Sequence, residues 1–247
     1  MIPLDLVCDK ISTNAVKKLS TPANASEAPS VAKVWQQVKD NAPTFATVWG
    51  LVFATGFLGL IWQLCLQLLA HPIFDTYPAD VFSAAAVFTA VGSLPTTILA
   101  NLVYILMVAV PAIYYATDQC PGPGETLRIL TRKPLRYLLA GFLFSIAVAV
   151  GLLLCIIPGI LVGLTTPLYV YYVFTTDLDL INCLSKAFKG MFQDFGSYLV
   201  VSLLCGLAVI ASILLCVLPS LVVLPMTALY IQNYIHHKGL VRAREVA

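Results

Sequence analysis

Three sets of side chains in this sequence have the elements of catalytic, metal-binding or redox chemistry. His71 and Asp75 flank Pro72-Ile73-Phe74. A histidine base paired with an aspartate could move an acyl group, but that arrangement wants four intervening residues and here there are three. His236-His237-Lys238 offers two neighbouring imidazoles, which read more simply as a solvated basic tail than as a metal site. Cys65, Cys155 and Cys216 stand near equivalent ends of three apolar stretches. They could form a disulfide or a redox pair, or pack as small apolar side chains, and the sequence favours packing. The 7 cysteines include no C-x-x-C pair, and the histidines do not cluster, which argues against zinc and against a secreted disulfide framework. The chain is therefore expected not to be an enzyme, with no catalytic, cofactor-binding or metal-binding residues.

Two further sets could bind rather than react. Thr166 and Tyr169 recur as Thr227 and Tyr230 inside apolar stretches. They could line a polar groove for a lipid headgroup, or satisfy their own backbone and bridge neighbouring helices. Arg128, Arg132, Lys133, Arg136, Lys186 and Lys189 sit on short amphipathic segments and could contact anionic lipid. Each cation near such a surface contributes about 1 kcal/mol. The same residues could equally seat the loops at the membrane. Membrane lipids, and possible membrane-protein partners, are thus the expected company. A net charge of +2, with no basic run interleaved with aromatics, gives no reason to expect nucleic acid.

The elements that must position these residues follow from composition. Of 247 residues, 60% are hydrophobic and 11% charged. The mean hydropathy is +0.90. A soluble surface needs roughly 25% charged residues, so this chain belongs in lipid. Residues 1–30 read as a flexible, polar, cytosolic tail without apolar period, containing the glycosylation-like triplet Asn24-Ala25-Ser26, discounted on that side. No cleavable signal is expected at the start. Val31, Val34, Trp35 and Val38 form one helical face, placing Trp35 among headgroups with Lys33 and Lys39 in water.

Charge-free stretches follow at residues 45–70, 97–115, 137–157, 158–175, 198–218 and 219–235. A crossing takes about 20 residues to match a hydrocarbon core of about 30 Å. Residues 137–175 would reach about 60 Å as one helix, so they must fold back. Pro158-Gly159 and Pro219-Ser220 are the expected hairpin tips. Residues 81–91 are too short to span, and Gly92, Ser93 and Pro95 should break them. They read as a half-helix on the outer face or as the bent start of the second span.

The second half of the chain repeats itself. A shift of 61 residues brings Tyr137 onto Tyr198, Cys155 onto Cys216, Pro158 onto Pro219, Thr166 onto Thr227 and Tyr169 onto Tyr230. About 13 of 48 positions agree, including the non-aliphatic ones. A looser first copy aligns Lys39 and Phe45 with Lys189 and Phe195. The expected fold is all-α: a polytopic transmembrane bundle of six spans, built as three tandem hairpin repeats (31–118, 119–177, 178–235), each preceded by an interfacial amphipathic helix. In the third, Leu180, Leu184, Ala187, Phe188, Met191 and Phe192 make the apolar stripe, with Asp179 as its cap. Residues 236–247 would form a basic cytosolic tail.

With both termini inside, all 14 Lys and Arg lie in the cytosol, and the outer side carries His71, Asp75 and Asp80. Tyr114, Tyr115, Tyr137, Tyr171, Tyr172, Tyr198 and Tyr234 then form the inner aromatic belt. No Asp, Glu, Lys, Arg or His lies within a predicted span, which weighs against a proton-coupled pump and a metal-dependent membrane enzyme. Gly141, Gly151, Gly163 and Gly206 are expected at close helix contacts.

The hairpin "IIPGILVGLTTPLYVYYV", followed by "DLINCLSKAFKGMFQDFGSYLVVSLL", resembles the bacterial six-span family of YciC-type proteins. It is also similar to the membrane domain fused to some glycerophosphodiester phosphodiesterases. The resemblance spans residues 31–234 and implies an inner-membrane protein without a catalytic site of its own. The interfacial helix in every repeat supports the expected role, non-enzymatic organisation of lipids or partner proteins, and the rival reading is a transporter or channel for a small apolar or zwitterionic molecule.

Overall fold

The computed structural model describes residues 23–24, 26–74, 84–215 and 217–241. The expected tail before residue 23, Ala25 of the glycosylation-like triplet, Asp75, Asp80, residues 81–83, Cys216 and residues 242–247 lie outside them. Among the described residues the structure is all-helical, with no strand.

The elements are α1 (Val31–Asp40), α2 (Ala42–Phe74), α3 (Ala84–Tyr104), α4 (Leu106–Thr117), α5 (Pro123–Arg132) and α6 (Pro134–Leu154). They continue as α7 (Ile156–Leu164), α8 (Thr166–Thr175), α9 (Leu180–Gln193), α10 (Phe195–Leu215) and α11 (Val217–His237). Four stretches are long and apolar enough to cross a membrane: Ala42–Ala70, Ala86–Thr117, Pro134–Leu154 and Phe195–Leu215. A fifth is reached if α7 and α8, bent by 42° at Thr165, act as one.

Residues 84–91 start the second crossing, the second of the two expectations for that stretch. Pro95 sits inside α3, and Gly92 and Ser93 do not end it. A proline is tolerated within a membrane helix because neighbouring groups can take up the freed carbonyl. Gly92 instead marks a close approach to α2: a Cβ there would lie 2.8 Å from the Leu66 Cδ2. The Trp62 indole donates to the Gly92 carbonyl at 2.7 Å across the same contact.

The hairpin between α6 and α7 turns three residues before its expected tip. The reversal is at Cys155, whose extended backbone (φ −174°, ψ 153°) ends one helix and opens the next. Pro158 falls in the first turn of α7, where its missing N–H is no loss. Gly159 does the other part of the work by letting the two helices touch. A Cβ on Gly151 would stand 2.9 Å from the Gly159 Cα. Gly141, Gly163 and Gly206, expected at similar contacts, have nothing within 4 Å of an added Cβ.

Two apolar cores hold the bundle. One gathers Tyr137, Leu168, Tyr172, Ala187, Met191 and Tyr198 from α6, α8, α9 and α10. The other gathers Val34, Val48, Leu106, Val110, Tyr114 and Leu229 from α1, α2, α4 and α11. Phe174 borders both. The helices α4, α8 and α11 pack on one another between the outer ones. The outer helices turn their apolar side chains outward: Leu153 is 87% exposed and Leu214 81%. Such a surface has no place in water and suits hydrocarbon.

Candidate lipid-facing site

The short helices α1, α5 and α9 each bury one side. On α1 the buried residues are Val34, Gln37 and Val38, and Val31 and Trp35 point outward. Trp35 carries the Lys39 ammonium 5.7 Å from its ring centroid. Lys33 departs from expectation: its amine reaches the Asn24 carbonyl at 2.6 Å and Glu27 at 3.4 Å rather than open water. On α9 the buried line is Cys183, Ala187, Gly190 and Met191, whereas Phe192, expected on that stripe, is exposed. Asp179 occupies the N-cap position of α9 but its side chain makes no capping hydrogen bond.

A network of polar contacts fastens these helices into a layer at one end of the bundle. Arg136 donates from Nη2 to the Thr176 and Leu178 carbonyls at 2.9 and 2.8 Å. Lys133 pairs with Asp177. Ser197 and Tyr234 donate to the two Asp194 carboxylate oxygens, each at 2.9 Å, and Lys238 approaches at 3.3 Å. The Thr44 hydroxyl donates to the Pro121 carbonyl at 2.8 Å. The hydrogen bond from Ser197, then that from Tyr234, holds the Asp194 carboxyl below its ordinary range. The Lys133 hydrogen bond does the same for Asp177.

All 9 described Lys and Arg belong to this layer: Lys33, Lys39, Arg128, Arg132, Lys133, Arg136, Lys186, Lys189 and Lys238. The six cations expected at lipid divide. Arg136 and Lys133 are used in seating the α8–α9 connection. Lys186 is half-buried. Arg128 and Arg132, one turn apart on α5, are exposed and make no ion pair with a described residue. Beside them Leu127 is also exposed, so α5 presents cations and hydrocarbon together. Lys189 lines a shallow concavity with Phe188 and Phe192 on α9.

His236 and His237 end α11, with His236 half-buried and His237 exposed. The His236 ring lies against Tyr115 and Tyr171, with centroids 5.7 and 5.2 Å away. His237 Nδ1 meets the Ser26 carbonyl at 3.0 Å, and Lys238 meets Asp194. Beyond them Gly239, at φ +68°, turns the chain so that Leu240 is buried under α9. Among the described residues no three of His, Cys, Asp and Glu gather as metal ligands. Cys65 and Cys155 are free and exposed on the bundle rather than packed within it.

The repeated Thr and Tyr residues do not share one groove. Pro167 lacks the N–H that would reach the Gly163 carbonyl, and the Thr166 hydroxyl donates to that carbonyl at 2.5 Å. Tyr169 is buried and donates to the Ala140 carbonyl of α6 at 3.1 Å. These two are occupied by backbone. Pro225 leaves the Leu221 carbonyl without its helical donor in the same way, and there the Trp49 indole of α2 donates at 2.8 Å. Thr227 bonds the Leu224 carbonyl at 2.9 Å. Tyr230 makes no hydrogen bond among the described residues, and with Thr227 it lines an apolar groove of about 370 Å³ between α1, α10 and α11.

Sequence reading missed a set of buried amides. Gln37 donates to the Ala23 carbonyl at 3.1 Å and accepts from the Tyr115 hydroxyl at 2.9 Å. Gln232 and Asn233 are fully buried, and Gln232 donates to the Pro167 carbonyl at 2.9 Å. The signal was available: Gln37 falls between Val34 and Val38 on the buried stripe, and Gln232-Asn233 interrupt an apolar helix.

Several apolar helices of crossing length, with the described cations gathered at one end, define a multi-pass helical membrane protein. No family model, curated protein or solved structure matches the chain.

Proposed function

We propose that this is a six-span inner-membrane protein with both termini in the cytosol, which organises anionic lipids or partner proteins and catalyses no reaction. The sixth span is α11, returning beside α10 as α7 returns beside α6. Three tandem hairpin units, each led by an amphipathic helix seated at the interface, fit the six-span class that the sequence resembles. The observation that carries the reading is the single layer of cations on α1, α5 and α9, with exposed hydrocarbon on the same helices. Cations facing one leaflet agree with the positive-inside rule, and exposed Arg or Lys beside apolar side chains suits a headgroup region.

Within that layer the lipid contact falls to Arg128, Arg132 and Lys189, because Lys133 and Arg136 already have partners. The test is native mass spectrometry of the protein released from nanodiscs of mixed anionic and zwitterionic lipid. The triple variant Arg128→Gln, Arg132→Gln, Lys189→Gln should lose its enrichment in anionic lipid, and unchanged enrichment would reject the reading. A second reading, a transporter or channel for a small apolar or zwitterionic molecule, is favoured by the breaks at Ile105 and Thr165 within returning helices. Solute flux in proteoliposomes would support it.

A further inference from the structure

We propose that the groove between α1, α10 and α11 holds one acyl chain of a membrane phospholipid, with the polar end of that lipid at Tyr230. The inference rests on the reading of the chain as a lipid-holding membrane protein, and adds a site that the cation layer does not supply. Val34 closes the groove on the α1 side, Cys205 and Ala208 form the α10 wall, and Val223, Thr227 and Tyr230 form the α11 wall.

Three observations select this occupant. Leu204 of the α10 wall and the adjoining Leu207 are exposed on a helix of crossing length, so the groove opens where the surroundings are hydrocarbon. Its lining carries no charged residue, which suits a chain rather than a headgroup. It is also graded: from Tyr230 near the charged end to Val223, seven residues or about 10 Å of helix deeper, it passes from a hydroxyl to pure hydrocarbon. The Tyr230 hydroxyl, half-buried and without a hydrogen-bond partner among the described residues, is placed to donate to a lipid ester carbonyl. About 370 Å³ lies within the range of ordinary ligand sites.

The test uses the full chain in nanodiscs of palmitoyl-oleoyl phosphatidylcholine alone, then native mass spectrometry after a detergent wash. Zwitterionic lipid separates this site from the cation layer: the Arg128, Arg132, Lys189 triple variant should retain this lipid as the wild type does. One lipid per chain is expected to remain. Ala208→Trp, which fills the groove, should lower retention about tenfold. Leu207→Trp, on the neighbouring lipid-facing surface, should leave it intact. Should Ala208→Trp fail to fold, Ala208→Leu, a smaller filling, should give a partial loss with unchanged helicity. Equal retention in the groove variants, equal loss in Leu207→Trp, or no retained lipid in the wild type would each overturn the proposal. Retention only after deletion of residues 1–22 would identify that segment as the occupant and overturn it as well.

Discussion

Replacing Trp49 by Phe keeps an aromatic ring and removes the indole donor, and the structure says what that donor does. Its partner, the Leu221 carbonyl, accepts at 2.8 Å. In an uninterrupted helix that carbonyl would bond the N–H four residues on, and that residue is Pro225. The indole therefore supplies a bond the helix cannot make. Hydrogen bonds between membrane helices average about 0.6 kcal/mol and reach about 1.7. A carbonyl left unpaired away from water costs about 1–3 kcal/mol. Since Trp49 is half-buried, Trp49→Phe should cost about 1 kcal/mol, roughly a fivefold change in the folding equilibrium. The decisive variant is Pro225→Ala, which returns an N–H to the position that faces Leu221. In that background Trp49→Phe should cost less, by more than about 0.4 kcal/mol, the additivity error of such cycles. The four proteins would be compared by reversible unfolding in mixed micelles, followed by circular dichroism. An equal cost of Trp49→Phe in both backgrounds would refute the coupling and, with it, the argument that the carbonyl freed by Pro225 takes its donor from α2.

Gly151→Ala should destabilise by about 1–3 kcal/mol, because its Cβ would meet the Gly159 backbone at 2.9 Å, and Gly141→Ala, with open space, should gain up to about 1 kcal/mol; the same unfolding assay reads both. Asp194 and Asp177 are held below their ordinary range by hydrogen bonds, so each contributes stability above an unfolded value of about 3.9, lost as pH falls through its lower folded value. Melting temperatures should therefore drop as the medium is acidified below about pH 4, and Asp194→Asn should flatten that drop while being less stable at neutral pH. Arg136→Gln should lower stability with little effect on lipid enrichment, since its guanidinium serves two carbonyls. Arg128→Gln should lower the affinity for anionic lipid about fivefold, the equivalent of about 1 kcal/mol, without shifting the melting temperature.

The helical class was legible because it depends on summed apolarity, which composition reports directly. The hairpin between residues 137 and 175 was legible from length alone, but its turn was displaced from Pro158 to Cys155. Proline is a breaker only after the first turn of a helix, and a sequence does not say where the first turn begins. Residues 84–91 joined the second crossing because the Gly92 contact with Leu66 and the Trp62 bond hold α3 against α2, both long-range events. In the site, the cations were visible as a set, and their division was not. Arg136 and Lys133 are consumed by a connection some 40 residues away that only folding brings near. The pairing of Thr166 with Pro167, by contrast, was local and could be read directly. The faces assigned by period are largely the buried ones, Val34 and Val38 on α1 and Ala187 and Met191 on α9, but period does not say where a face ends, and Phe192 at the edge of its stripe stays exposed.

The central claim is that every lysine and arginine of the amphipathic helices faces one side of the membrane. Single cysteines at Lys39, Arg132 and Lys189, in a chain whose 7 native cysteines are replaced, test it with an impermeant maleimide on sealed vesicles of known orientation. All three substitutions, Lys39→Cys, Arg132→Cys and Lys189→Cys, should react in inside-out vesicles and resist in right-side-out ones. Reaction of Arg132→Cys from the side opposite to Lys39→Cys would contradict the account.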